Sequence, residues 1–165
     1  ASATPEDGDK KPIGRGRLTL DPNRHACQWD GKIVRLTVTD IERSVAFYDR
    51  VFGWDKAIDA REHQGEPGLE DAPEKFYGGV VYQTPQGTLF GLPPVGSQPF
   101  RSDVTGLDHV SFAVGSRADL DDAARGLEEA GITHGEVIEL ADAGLAILSF
   151  QDPDDVNLEL TAPLS

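Results

Sequence analysis

From residue 33 onward the apolar and polar positions fall into short, regular blocks. Val34, Leu36 and Val38 alternate with Ile33, Arg35 and Thr37, the period of a strand. Asp40 then predicts a helix N-cap, because its short carboxylate can accept from the free amides of a first turn. Ile41, Val45, Tyr48 and Phe52 follow at helical spacing and Gly53 predicts the stop. Residues 59–76 are polar and hold Gly65, Pro67, Gly68 and Pro73, which predicts a long loop. Gly79–Gln83 and Thr88–Leu92 predict two strands around the turn Thr84-Pro-Gln-Gly87. Pro93-Pro94 closes this block, and the stretch up to Gly106 predicts a linker.

The same order then returns. His109–Val114 alternates as a strand, Ser116 can cap a helix bearing Leu120, Ala123, Ala124 and Leu127, and Gly131 ends it. Glu136–Leu140, Gly144–Phe150 and Asn157–Leu160 predict three more strands, the last two joined by a turn at Asp152-Pro-Asp-Asp155. Gln83-Thr-Pro85 with Leu92 reappears as Gln151-Asp-Pro153 with Leu160 at the same spacing, while Val34, Leu36 and Val38 answer to Val110, Phe112 and Val114. This is an internal repeat of a β-α-β-β-β unit. One such unit cannot cover both faces of its sheet, so two copies closing on each other are expected. The plan is an α+β fold with an N-terminal flexible arm over 1–30, a first module over 31–94, a linker over 95–106 and a second module over 107–165. Within the arm, Leu18–Leu20 predicts one short strand and Asp21-Pro-Asn23 a turn.

Composition narrows the partners. The chain has 165 residues, 38% hydrophobic, with no apolar run long enough to span a bilayer. Fifteen Lys and Arg against 29 Asp and Glu leave a formal charge of −14, which repels nucleic acid and anionic membranes and suits neutral or cationic small molecules. The single cysteine, Cys27, cannot close an internal disulfide or a CxxC zinc pattern, and a reducing, cytoplasmic setting is expected. The Met-free start at Ala1 is expected to be trimmed or processed.

Two stretches carry a family likeness. Val38-Thr-Asp-Ile-Glu-Arg-Ser-Val-Ala-Phe-Tyr-Asp-Arg-Val-Phe-Gly-Trp54 and Phe150-Gln-Asp-Pro-Asp-Asp-Val-Asn-Leu-Glu-Leu160 resemble the two signature segments of the vicinal oxygen chelate superfamily. That superfamily includes glyoxalases, extradiol dioxygenases and bleomycin-resistance proteins. The likeness covers about residues 31–162. It implies paired βαβββ modules whose mixed sheets curl around a shared cleft, with a metal site drawn from the first and last strand of each module. On the second repeat the implied metal positions are His109 and Glu159, a donor pair suited to a divalent ion. On the first repeat they are Ile33 and Gly91, which cannot ligate. The implied site is therefore half present, and both a two-His-one-carboxylate triad and a four-residue site are broken.

The candidate catalytic residues are His109, Glu159 and Arg35, and the candidate ligand-binding residues are Ile33, Arg35, Tyr82, Phe90, Gly91 and His109. Arg35 could clamp a ligand oxygen or pair with an acid such as Glu159. Gly91 leaves room for a bulky ligand, or marks a kink or close backbone approach. Phe76, Tyr77 and Trp54 join Tyr82 and Phe90 as aromatics for an apolar cleft or a plain core. His63 is a replacement ligand or a solvent-exposed loop histidine, and His25 and His134 are expected at the surface. The acidic group Glu136, Glu139, Asp142, Asp152, Asp154 and Asp155 is expected to be mostly solvated.

The first expectation is a metal-free binding protein, of the resistance or sequestration type, holding a largely apolar or aromatic and cationic-tolerant compound. Its rivals are a metal-dependent lyase, isomerase or dioxygenase using His109 and Glu159, a metal-free proton transfer with His109 as base, and an accessory domain with a vestigial cleft. No cofactor is expected under the first reading and a divalent metal under the second. The expected partners are a small molecule and a second copy of the chain, with neither nucleic acid nor membrane.

Overall fold

The computed structural model describes residues 13–15, 18–21, 26–29 and 33–164, with side chains from residue 33. Most of the expected arm, His25, the side chain of Cys27 and the Asp21-Pro-Asn23 turn beyond Asp21 lie outside the described residues. Three short strands, β1 (Ile13–Arg15), β2 (Leu18–Asp21) and β3 (Ala26–Trp29), pair antiparallel in the order β1-β2-β3. The short strand expected at Leu18–Leu20 is one of the three.

The two repeats build two four-stranded mixed sheets. The first holds β4 (Ile33–Arg35), β5 (Asp55–Asp59), β6 (Val80–Gln83) and β7 (Leu89–Leu92) in the order β4-β7-β6-β5. The second holds β8 (Val110–Ala113), β9 (Ile138–Leu140), β10 (Leu145–Gln151) and β11 (Asn157–Pro163) in the order β8-β11-β10-β9. In each sheet the first strand lies parallel to the last, and the remaining pairs are antiparallel.

The registers carry the repeat into the structure. Gln83 pairs with Leu89 and Gln151 with Asn157; Val81 pairs with Gly91 and Ser149 with Glu159. Arg35 lies beside Gly91 as Ser111 lies beside Glu159. Ile33, two residues before Arg35, therefore corresponds to His109, two residues before Ser111. β5 carries the sequence Asp-Lys-Ala-Ile-Asp and no apolar alternation, so it is not legible as a strand; as the outer strand of its sheet it exposes most of its residues. The loop expected over 59–76 contains three short 3-10 turns, Arg61–His63, Leu69–Asp71 and Pro73–Gly78.

Helix α1 (Ile41–Val51) begins where the sequence predicts. The Asp40 carboxylate accepts from the Arg43 amide at 3.0 Å. Helix α2 (Arg117–Glu129) starts on a reciprocal capping box between Ser116 and Asp119. The chain divides into two compact units, one made of the residues up to Thr37 with Trp54–Val95, the other of Val38–Gly53 with Gly96–Ser165. The helix that the sequence assigns to the first module thus belongs to the compact unit of the second sheet.

Its side chains explain why. Phe47 and Phe52 meet Phe150, and Phe52 meets Phe112, at ring-centroid distances of 5.1–6.4 Å. Two buried acids tie the helix to the turn between β10 and β11. Asp152 Oδ1 accepts from the amides of Asp154 (2.8 Å) and Val156 (2.9 Å), and its Oδ2 accepts from the Tyr48 hydroxyl (3.1 Å). Asp154 accepts from the Thr39 amide (2.8 Å), the Thr39 hydroxyl and the Arg43 guanidinium (2.7 Å). The expectation that these acids are solvated is corrected for Asp152 and Asp154, both nearly fully buried. A short carboxylate can serve the crowded amides of a tight turn, and burial strengthens each of those bonds.

Candidate functional site

In the second unit, the face of the sheet that packs on the helices carries Ala146, Leu148, Phe150, Leu158, Leu160 and Ala162, all buried. The alternate residues form the opposite face, where Ser111, Ser149, Gln151, Asn157, Glu159 and Thr161 lie side by side. Ser149, Gln151, Asn157 and Glu159 of this row line an open groove of about 750 Å³, and Ser111 and Thr161 flank it through their contacts with Glu159. Asp108, His109, Thr133, His134 and Asp155 complete much of its wall, and among the described residues no Lys or Arg lines it.

His109 and Glu159 are brought together. His109 Nε2 lies 3.9 Å from Glu159 Oε1. Glu159 is also the acceptor for the hydroxyls of Ser111 and Thr161, each at 3.1 Å, and these two hydroxyls are 2.6 Å apart. On the other side of the ring, His109 Nδ1 lies 2.7 Å from Asp108 Oδ2. That hydrogen bond raises the His109 pKa above its ordinary value; the Glu159 charge adds to the shift and partial burial opposes it. The imidazole thus has a fixed orientation, with Nδ1 held by a carboxylate and Nε2 aimed toward a second one. Its side chain is 44% exposed and that of Glu159 is 19% exposed, so a solute in the groove can reach both.

Sequence reasoning misses Asp108, Ser111 and Thr161. The signal for the last two is present: each lies two residues from His109 or Glu159 on a strand, and so on the same face. His134 forms part of the groove wall, and its Nδ1 lies 2.8 Å from Gly135 O.

The corresponding positions of the first unit are built differently. Gly91 carries no side chain, and the ring of Phe76 fills the space above it. A Cβ on Gly91 would lie 2.6 Å from Phe76 Cζ and 3.7 Å from Ile33 Cγ2. Phe76 joins Ala60, Val81 and Leu89 in a buried cluster, with Ile33 and Ile58 packed against it. Arg35 lies over the same ring, its guanidinium carbon 5.7 Å from the centroid. The room expected at Gly91 is therefore occupied by the protein itself.

Tyr82 and Phe90 are placed on the other face of this sheet, paired with each other and packed edge-on against Trp54. Both are fully buried, so they do not share a surface with Ile33, Arg35 and Gly91. Strand alternation forces this separation, since neighbouring positions along β7 face opposite ways.

The Phe76 ring is delivered by strained backbone. Phe76 (φ 50°) and Tyr77 (φ 55°) both adopt left-handed conformations, followed by Gly78 at φ 71°. Such a conformation costs a non-glycine residue about 1–2 kcal/mol, so the surroundings must hold it. The buried Leu69 packs against Gly78 at the end of this strap, Pro73–Gly78, and Gln64 Nε2 donates to Gly78 O at 2.8 Å. Glu66 accepts from Lys75 and contacts His63 Nδ1 at 2.8 Å. His63 is therefore tied within its own loop.

A divalent-ion site of the kind implied by the sequence needs at least three side-chain donors. Among the described residues no three His, Cys, Asp or Glu side chains come together as such a set. His109 and Glu159 supply two donors, and the corresponding positions in the first unit supply an isoleucine and a glycine covered by a phenyl ring. The residues present do not fit a complete side-chain metal centre. No helix among the described residues is long and apolar enough to cross a membrane.

Known proteins share this architecture. A curated Bacillus subtilis protein, the uncharacterized protein YwkD, is 30% identical over 128 residues, covering 77% of this chain and 91% of that one. A crystal structure of a glyoxylase/bleomycin resistance protein/dioxygenase domain from Frankia sp. EAN1pec is similar, with a TM-score of 0.63, 27% identity and coverage of 80% of this chain and 90% of that one. The fosfomycin resistance protein FosX from Listeria monocytogenes, in a mutant form complexed with Mn(II) and 1S,2S-dihydroxypropylphosphonic acid, shares the fold. Its TM-score is 0.61 at 14% identity, over 80% of this chain and 90% of that one. The sequence profile of the Glyoxalase/Bleomycin resistance protein/Dioxygenase superfamily matches residues 32–160, and with the two repeated sheets in place the chain belongs to that superfamily.

Proposed function

We propose that the second-unit groove binds a small, polar, neutral or cationic molecule through His109, Glu159, Ser111 and Thr161, without a complete side-chain metal centre. The observation that carries this reading is the lining of the groove. It presents Asp108, Asp155 and Glu159 with no Lys or Arg among the described residues, in a chain of net charge −14. An anionic group placed there would meet several carboxylates and no guanidinium or ammonium partner, and the His109 imidazole is already flanked by Asp108 and Glu159. An ammonium or hydroxyl group would find the Glu159 carboxylate and two hydroxyl oxygens within one small area. The ligand is therefore more polar than the apolar or aromatic compound expected from sequence. FosX is complexed with Mn(II) and a phosphonic acid in its structure; the groove described here offers carboxylates to a neutral or cationic group.

The test is calorimetric titration with glucosamine and, separately, with methylphosphonate, each with and without EDTA. Glucosamine is expected to bind the wild type with or without the chelator, and Glu159→Gln is expected to weaken it at least tenfold. Binding of methylphosphonate in preference to glucosamine, or glucosamine binding that Glu159→Gln leaves unchanged, refutes the reading.

The Asp108–His109 contact also favours a second reading, metal-free proton transfer. A carboxylate on Nδ1 fixes the tautomer and leaves Nε2 as the proton acceptor. Asp108, and not Glu159, is then the group that orients the base. Hydrogen–deuterium exchange at an acidic C–H of a bound ligand, lost in His109→Gln, is the matching assay.

A further inference from the structure

The second-unit groove turns its donors inward and leaves its acceptors outward. Four of its lining residues carry side-chain nitrogen, and each nitrogen is engaged by the protein itself. Gln151 Nε2 donates to Asn157 Oδ1 at 3.0 Å and to Asp155 O at 3.4 Å. Asn157 Nδ2 donates to Asp108 O at 3.1 Å. His134 Nδ1 faces Gly135 O at 2.8 Å, and His109 Nδ1 faces Asp108 Oδ2 at 2.7 Å. A backbone carbonyl can only accept, so it fixes the donor atom in three of these residues. The amide oxygen of Gln151 and the Nε2 of a neutral His134 are left as acceptors. The carboxylate of Asp155, also in the groove lining, has no hydrogen-bond or ion-pair partner among the described residues.

We propose that this groove binds a linear polyamine, with two or more ammonium groups on one methylene chain. The proposal rests on the reading of the groove as a site for neutral or cationic solutes, and it adds a second charge at a second place. One ammonium sits at Glu159, beside the Ser111 and Thr161 hydroxyls. Another sits toward the turn between β10 and β11, at Asp155. Gln151 and Asn157 lie between them, paired with each other two residues, or about 7 Å, nearer the turn than Ser149 and Glu159. Asp108 stands beside Asn157. Glu159 and Asp155 are four residues apart, which bounds their Cα separation at about 14 Å, within the reach of an extended triamine. An ammonium group is all donor and no acceptor, the complement of a wall whose nitrogens are already engaged. A single small amine leaves one of the two separated carboxylates without a partner. A bare divalent ion matches less well: it needs several oxygens around one point, and among the described residues no three acid or imidazole side chains converge. Spaced ammonium groups need only one carboxylate each.

The probes are spermidine, butylamine and magnesium chloride, titrated calorimetrically into the full chain at pH 8, which disfavours a competing charge on His109. Salt at about 0.15 M screens charges farther apart than about 8 Å. Spermidine is expected to bind at least tenfold more tightly than butylamine. Asp155→Asn removes the charge and keeps a residue that tolerates the left-handed backbone there (φ 65°). It should weaken spermidine at least fivefold and so remove most of its advantage over butylamine. Glu128→Gln, which removes an exposed charge on α2 outside the groove, should leave spermidine affinity within twofold of the wild type. Equimolar magnesium should not displace spermidine. Three results overturn the proposal: spermidine binding no tighter than butylamine, a loss in Glu128→Gln equal to that in Asp155→Asn, or displacement by equimolar magnesium. If spermidine has no advantage while glucosamine binding still depends on Glu159, the polyamine site falls and the cation-binding groove stands. If no amine binds, both fall.

Discussion

Asp152 is the residue whose removal tests the packing argument most directly. Its two oxygens serve three donors: the amides of Asp154 and Val156 and the Tyr48 hydroxyl. Asp152→Ala leaves all three without their acceptor. A buried donor without a partner costs about 1–3 kcal/mol, so three set bounds of about 3 and 9 kcal/mol. Two effects pull the value to the lower bound. Asp152 lines the groove, so water can reach the freed amides. Burial also pushes its carboxyl pKa upward against the lowering by its three donors, and removing that buried charge returns part of the loss. The expected cost is about 3 kcal/mol. With a urea slope of about 1.5–2 kcal/mol per molar, the midpoint at pH 7 falls by about 1.5–2 M, read by far-ultraviolet circular dichroism. Asp152→Asn keeps an oxygen for both amides and turns its NH2 toward Tyr48, whose hydroxyl can accept, so its cost should stay below about 1 kcal/mol. The reasoning fails if the alanine variant lies within about 1 kcal/mol of the wild type, or if asparagine is as damaging as alanine.

Other outcomes follow from single contacts. The Ser44 hydroxyl is fully buried on α1 with no hydrogen-bond partner among the described residues, so Ser44→Ala should stabilise the chain by about 0.5–1 kcal/mol in the same urea assay. A side chain at Gly79 would press into the carbonyl oxygens of Leu92 and Phe76, both backbone atoms; Gly79→Ala should cost about 2–3 kcal/mol, visible as a lowered thermal midpoint. The His109 pKa is raised first by its bond to Asp108, so NMR titration of Asp108→Asn should show it lowered, and Glu159→Gln should show a smaller drop. A folded-state pKa above the unfolded value stabilises at low pH: the advantage of His109 over a His109→Gln variant should be full below about pH 6 and fade as pH rises through the raised value. An advantage that grows toward alkaline pH would contradict this assignment.

The periodic blocks are enough to place both helices and every strand of the repeat region except β5 near their observed positions, because burial on one face leaves a two- or 3.6-residue period in any sequence that folds this way. The caps Asp40 and Ser116 are legible for the same local reason: a first-turn amide needs an acceptor close by in sequence. The half-site is legible too. His109 and Glu159 on the one side, Ile33 and Gly91 on the other, follow from aligning the two copies, and the strand registers agree with that alignment. β5 is not legible, since an edge strand with both faces largely wet leaves no alternation to read.

What depends on distant contacts was decided only in three dimensions. The two segments 38–54 and 150–160 read in sequence as family signatures; in structure they are the two halves of one clasp, Thr39, Arg43 and Tyr48 gripping Asp152 and Asp154. No local rule states that an acid in one turn will be desolvated by a helix more than a hundred residues away. Nor does any rule of spacing say that glycine at position 91 will be covered by the ring at 76, since that placement depends on a left-handed strap that the rest of the unit holds against its own preference. Local chemistry thus set the elements and their order, because those energies act between near neighbours along the chain. Which half keeps a polar, open site and which is sealed by its own phenyl ring was set by packing, because only packing brings such residues within reach of one another.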